Sequence, residues 1–341
     1  MKSIFDRIDG IVDEKFDTPC MLIDSERVCQ VISDIKSIGE IYYPVKACAY
    51  GPLIRLMVKQ GLHFNINSLR YLQIALDAGA DIESLLLDNC LFTREELAEA
   101  IRLGAREFAV DRLAMAEFIL ERVPDARIFL KLSASVLDCK PRKYGAGVSA
   151  AKELYSRLTD SGNLYGVSFY IGEELFNESN VRRMCEYAFS LGDIKRINVG
   201  GGFTSRSFCA EYFKSLRQEG IELIFEPGRG ILTDACAMLT RAVSVDKSGA
   251  VPRIRLDASV YSGLMDRFIE DKRYPILAVG EPDTTYLVSG YTSDSCDSFG
   301  LCELPEDIGE GDLLLIGNCG SYSFDMSCVY SGALPLSFKL L

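Results

Sequence analysis

Three features of the sequence could act together on one cofactor: a lysine, a glycine run and an acid. Lys46 follows the apolar run IYYPV at residues 41–45, and its amine can condense with an aldehyde. The glycines at 200–202 follow another apolar run, and the backbone N–H groups of such a run can approach a phosphate closely. Glu226 follows the run ELIF and offers a carboxylate to a protonated ring nitrogen.

An aldehyde, a phosphate and a ring nitrogen occur together in pyridoxal 5′-phosphate (PLP), so these residues predict a PLP site. Each signal alone is weak. A single lysine at the end of a strand often reaches solvent along its alkyl stem, and polar residues at strand ends are common.

The elements that would position these residues alternate between apolar strands and amphipathic helices. We predict eight strands, at residues 41–46, 62–66, 84–88, 106–111, 127–132, 166–171, 196–200 and 222–226. This order predicts an α/β fold, a (β/α)8 TIM-like barrel, with a doubly wound open sheet as the competing arrangement. In a barrel the carboxyl ends of the strands meet on one face, which is where active sites lie. The polar residues and glycines expected there are Lys46, Asn65, Asp88, Asp111, Lys131, Tyr170, the glycines at 200–202, and Glu226.

After Gly230 the pattern changes to short apolar runs separated by turn signals. The runs cover residues 231–246, 253–257, 275–279, 284–290 and 312–316. They predict a second, mostly β domain, and the segment TPCMLID at 18–24 also has the pattern of a strand. We therefore expect a barrel domain at 25–232 and a β-domain made of 1–24 and 233–341.

Composition excludes several classes of function. The net charge of −12 over 341 residues argues against nucleic acid and anionic membranes as partners. The opening MKSIFDRIDG lacks the apolar core of a signal peptide, and no apolar run is long enough to cross a bilayer. The twelve cysteines form no CxxC pair and the chain has one histidine, so we expect reduced thiols, a cytoplasmic location and no metal site.

The motifs, in this order, resemble the fold-type III PLP decarboxylases, which include ornithine, diaminopimelate and carboxynorspermidine decarboxylases. The resemblance is nearest to the ornithine decarboxylase branch and implies an architecture shared with alanine racemase. The matching segments are TPCMLID, YYPVKA, KYG (143–145), INVGGGF (197–203), FEPGRG (225–230), LDASVYSG (256–263), SDSCDSF (293–299) and GDLLLIGNCGSYS (311–323).

The resemblance implies a role for each matching residue. Lys46 matches the lysine that forms the Schiff base with PLP, and Glu226 matches the carboxylate that pairs with the pyridine nitrogen. Cys296 matches the cysteine that protonates the substrate Cα, and Asp297 matches an acid that binds the distal amine of the substrate. The remaining cofactor-binding residues it implies are Tyr170, Gly201, Gly202, Gly228, Arg229 and Tyr322. In this family the matching cysteine and acid come from the partner subunit, so a homodimer with shared active sites is expected.

The chain departs from the family pattern at several positions. Tyr170 stands where the family has a histidine that stacks on the cofactor, and Asn65 replaces an aspartate. Glu173 falls where a serine binds phosphate, so its carboxylate is expected to point elsewhere unless the local alignment is shifted. Glu270 or Asp271 could supply a second amine-binding acid, or both could belong to a solvated charged turn.

The predicted function is PLP-dependent decarboxylation of an amino acid, or of an aminocarboxypropyl group on a larger molecule. The second substrate would fit a decarboxylase domain from biosynthesis of a microcin C-type antibiotic. One alternative is a PLP-dependent racemase, which would need a tyrosine as the opposite base. Another is a non-catalytic decarboxylase homologue that binds a protein partner, although Lys46, Glu226 and Cys296 are all present.

Overall fold

The computed structural model describes residues 16–88, 92–137, 143–204 and 207–341. The first ten residues, Cys90 and Cys139 lie outside these ranges. The chain forms two compact units. The barrel unit comprises residues 31–230, and the sheet unit comprises residues 231–341 with the described residues through Gln30.

The barrel unit is built around a closed barrel of eight parallel strands in chain order, as the sequence predicted. The strands are β2 (Glu40–Pro44), β3 (His63–Ile66), β4 (Leu85–Leu87), β5 (Glu107–Val110), β6 (Arg127–Leu132), β7 (Leu164–Phe169), β8 (Arg196–Asn198) and β9 (Glu222–Phe225). They are apolar runs rather than alternating patterns because helices cover the outer face while side chains fill the interior. One group of buried side chains comprises Tyr42, Leu86, Ala109, Phe129 and Ile224.

Helices connect the barrel strands, and several begin at side-chain caps. Ser68, Thr93 and Asn177 each accept a hydrogen bond from a backbone N–H in the first turn, and Thr93 forms a capping box with Glu96. The helices are α1 (Ser25–Lys36), α2 (Gly51–Lys59), α3 (Leu69–Asp77), α4 (Arg94–Arg102), α5 (Leu113–Leu120), α6 (Val148–Asp160), α7 (Glu178–Phe189), α8 (Ala210–Gln218) and α9 (Gly228–Leu232). Of the helices within the described ranges, none is long and apolar enough to span a bilayer.

The sheet unit is mostly β, as predicted. Its strands are β1 (Cys20–Ile23), β10 (Cys236–Asp246), β11 (Arg253–Leu256), β12 (Ile276–Ala278), β13 (Thr284–Ser289), β14 (Ser298–Leu304), β15 (Leu313–Ile316) and β16 (Ser337–Leu340). The main order is β12-β15-β10-β11-β13-β14, and β1 joins it by pairing with both β10 and β16. Two short helices, α10 (Asp266–Ile269) and α11 (Ser323–Met326), interrupt the strands.

Candidate active site

Lys46 lies just beyond β2, in the short 3-10 turn Val45–Ala47. Its two neighbours are fully buried, whereas its own side chain is exposed. The sequence placed Lys46 at the end of the strand, but the strand stops at Pro44, a residue with no N–H to donate to the sheet. The packed neighbours fix the start of the lysine side chain, and its exposure leaves the amine accessible.

The Glu226 carboxylate directly follows β9 and is oriented from the adjacent strand. Asn198 Nδ2 donates to Glu226 Oε1 at 2.7 Å, and Asn198 Oδ1 accepts from the N–H of Gly200 at 2.9 Å. The backbone N–H of Glu226 donates to the carbonyl of Gly200 at 2.9 Å. The acid and the glycine run are therefore joined through both side chain and backbone.

A buried ion pair lies at the same end of the barrel. Lys131 Nζ, from β6, bonds the carboxylate of Asp88, which follows β4, and only 10% and 7% of the two side chains is exposed. Asn65 Nδ2 donates to Asp88 Oδ2 at 3.2 Å. Asn65 and Lys131 therefore both bond Asp88, and all three are residues that the sequence placed at this face.

This surrounding charge acts on Glu226. Burial raises the pKa of Glu226 to about 7, and the nearby Asp88 carboxylate adds to the rise. The positive charges of Lys131 and Lys46 lower it. A carboxyl group with this pKa is poised to become a full anion when another positive charge is placed beside it.

The glycine run leaves no room for side chains. A Cβ on Gly201 would lie 2.4 Å from the carbonyl oxygen of Glu226. Gly202 has a φ of +90°, and a Cβ there would lie 3.0 Å from the carbonyl carbon of Gly172. The backbone itself therefore lines this part of the site, and such a surface fits the close approach of a phosphate group.

Tyr170 begins the segment after β7 and lies beside the same run. A Cβ on Gly200 would be 3.6 Å from the Cα of Tyr170, and 46% of the tyrosine is exposed. The residue expected to replace the stacking histidine is therefore close to the glycines and accessible.

Arg229 and Glu173 form an ion pair near the glycine run. The distance from Arg229 Nη1 to Glu173 Oε2 is 3.0 Å, with 11% of the arginine side chain and 43% of the glutamate side chain exposed. The Glu173 carboxylate thus binds the arginine to which the resemblance assigns a phosphate contact. The N–H of Gly228 donates to the carbonyl of Glu226 at 3.0 Å, so it is already engaged.

In the sheet unit, the Asp297 carboxylate is turned inward. It is 2% exposed and accepts hydrogen bonds from Ser259 Oγ at 2.9 Å and from the N–H of Val260 at 2.9 Å. It also accepts from Thr292 Oγ1 at 2.7 Å and from the N–H of Thr292 at 3.1 Å. These four donors hold the loop of residues 291–297, which is a structural use of the carboxylate and leaves it little capacity for an amine.

The same loop, called here the 291–297 loop, presents a second acid that the sequence analysis did not single out. Asp294 accepts from Tyr261 Oη at 2.7 Å and from the N–H of Cys296 at 2.8 Å. The pKa of Asp294 is lowered first by the bond from that backbone N–H and then by the tyrosine hydroxyl. Cys296 itself is exposed. The polar run SDSCDS contains both acids, and only the structure shows which one is buried.

The remaining candidates also lie in the sheet unit. Tyr322 is half-buried, has a φ of 65° and precedes α11. Asp271 is 85% exposed and forms an ion pair with Arg267, while Glu270 directly follows α10 and is exposed. In the part of the chain that the structure describes, no cluster of three or more His, Cys, Asp or Glu could hold a metal ion.

The barrel unit thus contains Lys46, Tyr170, Gly201, Gly202, Glu226, Gly228 and Arg229 at the carboxyl ends of its strands or directly after them. The sheet unit contains Glu270, Asp271, Cys296, Asp297 and Tyr322. Lys131 was predicted only as a strand-end residue, and its pairing with Asp88 had no signal in the sequence because the two residues are far apart along the chain.

The chain is similar in sequence to known pyridoxal-dependent decarboxylases. The family model described as "Pyridoxal-dependent decarboxylase, pyridoxal binding domain" matches residues 26–233. The diaminopimelate decarboxylase of Deinococcus radiodurans is 26% identical, over 93% of this chain and 88% of its own length. The lysine/ornithine decarboxylase of Selenomonas ruminantium is 21% identical, over 86% of this chain and 81% of its own length.

Solved structures show the same fold. The lysine/ornithine decarboxylase of Vibrio vulnificus, complexed with putrescine, has a TM-score of 0.86 at 19% identity, covering 98% of this chain and 97% of that one. The arginine decarboxylase of the Paramecium bursaria Chlorella virus has a TM-score of 0.83 at 16% identity, covering 99% of both chains. Since the family model spans more than half of the 341 residues, the chain belongs to the pyridoxal-dependent decarboxylase family.

Proposed function

We propose that this chain removes the α-carboxylate of an amino acid that carries a second amine, using PLP held in the barrel unit. The observation that supports this most is the joined arrangement of Glu226, Asn198 and the glycine run, at the end of the barrel that also carries Lys46. The relatives, which are named for diaminopimelate, lysine and ornithine, support this substrate class.

The residues of the barrel unit suit the parts of PLP. When bound, PLP supplies the aldehyde and the ring that takes up the electron pair left as CO2 departs. Lys46 offers the anchoring amine, and Gly201, Gly202 and Arg229 offer N–H groups to the phosphate. Glu226, held by Asn198, keeps a proton on the ring nitrogen by its opposite charge.

We assign three further contacts to the cofactor. Tyr170 offers its exposed ring to the cofactor face. Gly228 and Tyr322 keep the phosphate role that the resemblance implies, although the N–H of Gly228 is bonded to the carbonyl of Glu226.

The 291–297 loop supplies the proton and the substrate contact in this proposal. Cys296 is exposed and delivers a proton to the substrate Cα. We assign the amine-binding carboxylate to Asp294 rather than Asp297, because Asp294 is only half-buried, whereas Asp297 is buried under four hydrogen bonds. Glu270 and Asp271 are secondary candidates, and Asp271 is already paired with Arg267.

The proposal includes a homodimer in which the partner copy supplies this loop. The surface around Tyr261 supports it. The Tyr261 ring lies 4.7 Å from that of Tyr330 and 5.4 Å from that of Phe268, and the last two are 55% and 39% exposed. Grouped exposed aromatic side chains are typical of surfaces that bind another protein.

The test is release of CO2 from candidate substrates by the purified, PLP-loaded protein. The panel comprises diaminopimelate, lysine, ornithine, arginine and a larger molecule with an aminocarboxypropyl arm, followed by mass spectrometry of the products. We expect one of the free diamino acids to lose CO2, and Lys46→Ala to abolish the loss. Borohydride reduction of the loaded protein should attach the cofactor to Lys46.

Other results of these experiments would support other functions. Racemisation without loss of CO2 would support a racemase, and release of CO2 only from the larger molecule would support the aminocarboxypropyl substrate. Label on a lysine other than Lys46 would contradict the assignment of the cofactor site. If PLP binds and no substrate reacts, a non-catalytic homologue becomes the better description.

A further inference from the structure

The ion pair between Glu173 and Arg229 brings a negative charge to the site proposed for the phosphate. Glu173 Oε2 lies 3.0 Å from Arg229 Nη1. The backbone next to Glu173 also touches the glycine run, because a Cβ on Gly202 would lie 3.0 Å from the carbonyl carbon of Gly172 and 3.2 Å from the N–H nitrogen of Glu173. The carboxylate, the guanidinium and the glycine backbone are thus parts of one small region.

The two side chains of the pair differ in their surroundings. Only 11% of the Arg229 side chain is exposed, so its charge needs a nearby anion. Glu173 is 43% exposed and belongs to the short 3-10 turn Glu173–Leu175, so its carboxylate can exchange the arginine for water. The arginine is therefore fixed, and the glutamate is the member of the pair that can leave.

A phosphate group would seek the same guanidinium, because planar arginine binds carboxylate and phosphate oxygens with the same N–H groups. Two anions beside one cation repel each other at close range. Binding the phosphate of the cofactor therefore requires that the Glu173 carboxylate move away or stay at an energetic cost.

We propose that Glu173 competes with the phosphate of the cofactor for Arg229 and thereby weakens cofactor retention. This inference rests on the proposed cofactor site. Glu173 acts as an internal stand-in for the phosphate, which stabilises Arg229 when the site holds no cofactor and favours exchange of PLP with solution.

The experiment compares equilibrium binding of PLP and of pyridoxal, which lacks the phosphate. Cofactor-free protein is titrated while cofactor absorbance and protein fluorescence are recorded, for wild type, Glu173→Gln and Glu173→Ser. The matched control is Glu178→Gln, which breaks the exposed pair of Glu178 with Arg182, 2.9 Å apart, in the same unit. Thermal unfolding of the cofactor-free variants checks that each is folded.

We expect both Glu173 variants to lower the Kd for PLP tenfold or more and to change the Kd for pyridoxal less than twofold. Glu178→Gln should leave both constants within twofold. An unchanged or higher Kd for PLP in Glu173→Gln would overturn the inference, as would equal tightening of PLP and pyridoxal. If wild type binds no PLP at all, the cofactor site fails and the inference fails with it, whereas failure of the inference alone leaves binding by wild type intact.

Discussion

The mouth of the barrel and the 291–297 loop each hold a pair of carboxylates, and they hold them in opposite ways. At the barrel mouth, Asp88 is neutralised by buried Lys131, while Glu226 is bonded to a neutral amide. In the loop, Asp297 is buried under neutral donors, whereas Asp294 is only half-buried. In both regions one acid supports the structure and the other is left available.

The pKa values of Glu226 and Asp294 are shifted in opposite directions. Burial raises the pKa of Glu226, whereas hydrogen bonds from the Cys296 N–H and from Tyr261 lower the pKa of Asp294. A raised pKa lets Glu226 respond when a cationic ring nitrogen arrives. The hydrogen bonds that lower the pKa of Asp294 favour its charged form, which suits it to attract the amine of a substrate from solution.

The largest expected effect comes from Glu226→Gln. We expect turnover to fall about a thousandfold, or about 4 kcal/mol in the barrier, because a neutral amide cannot hold the ring nitrogen protonated. Cofactor binding should persist, since the glycine run and Lys46 are unchanged. Steady-state kinetics with PLP absorbance measure both quantities.

Glu222→Gln is the matched control, because Glu222 begins the same strand at its other end and pairs with Arg196. It should leave turnover near the wild-type value. Turnover of Glu226→Gln near that value would remove the electron-sink role from Glu226.

Sharing of the site between subunits is tested by mixing two inactive variants. Lys46→Ala disables the barrel mouth and Cys296→Ala disables the loop. After subunit exchange from equal amounts, about half of the dimers are mixed and roughly a quarter of all sites contain both groups. We expect activity a hundredfold or more above either parent. Demonstrated exchange with no recovery would mean that Cys296 acts in its own subunit or has no catalytic role.

Asp297 and Asp294 should differ in how much they contribute to the stability of the fold. Asp297→Asn should lower the free energy of unfolding by roughly 3 to 5 kcal/mol, because the new NH2 group faces donors that Asp297 now accepts from. Asp294→Asn should unfold near the wild-type midpoint. Urea denaturation of the cofactor-free proteins measures both free energies of unfolding. An equal decrease in the two variants would contradict the assignment of Asp297 as the buried residue that holds the 291–297 loop.

The barrel could be predicted from the sequence because its strands are buried on both faces and so form continuous apolar runs between helical segments. The sheet unit was harder. Strand β14 contains Gly300 at a φ of +88°, which breaks the alternation that marks a strand, and β16 is a four-residue strand near the end of the chain. Helix α10 has only four residues, too few for a helical period to be recognised.

The sequence predicts which single residues lie at the site, but not which of them bond to one another. Lys46, the glycine run and Glu226 each follow an apolar run, and parallel strands bring such positions to one face. The bond between Glu173 and Arg229 depends on two loops meeting in space. The choice between Asp294 and Asp297 depends on which way a loop folds, and adjacent polar residues give no sign of that.

The pH dependence of stability tests the tuning of Glu226. Its pKa rises from an ordinary 4.5 to about 7 on folding, so the folded protein favours the protonated form. The proton bound by Glu226 therefore stabilises the folded state. This contribution to the free energy of unfolding is fully present below about pH 4.5 and is lost as the pH rises through 7. Glutamine stays neutral at every pH. The free energy of unfolding of the cofactor-free Glu226→Gln variant should therefore exceed that of wild type by up to about 3 kcal/mol at pH 8 and by little at pH 5. A difference that stays constant from pH 5 to pH 8 in urea titrations would contradict the raised pKa.

The smallest expected effect concerns the choice of amine-binding acid. Asp294→Asn removes a charge that is held in place by Tyr261 and by the N–H of Cys296. We expect KM for the diamino acid to rise about tenfold with kcat nearly unchanged, because loss of a charge contact away from the reacting atoms weakens substrate binding more than the chemical step. Asp271→Asn is the control, since Asp271 is 85% exposed and already paired with Arg267, and it should change KM less than twofold. If Asp271→Asn raises KM and Asp294→Asn does not, the amine is bound by the segment after α10, and the 291–297 loop contributes the thiol alone.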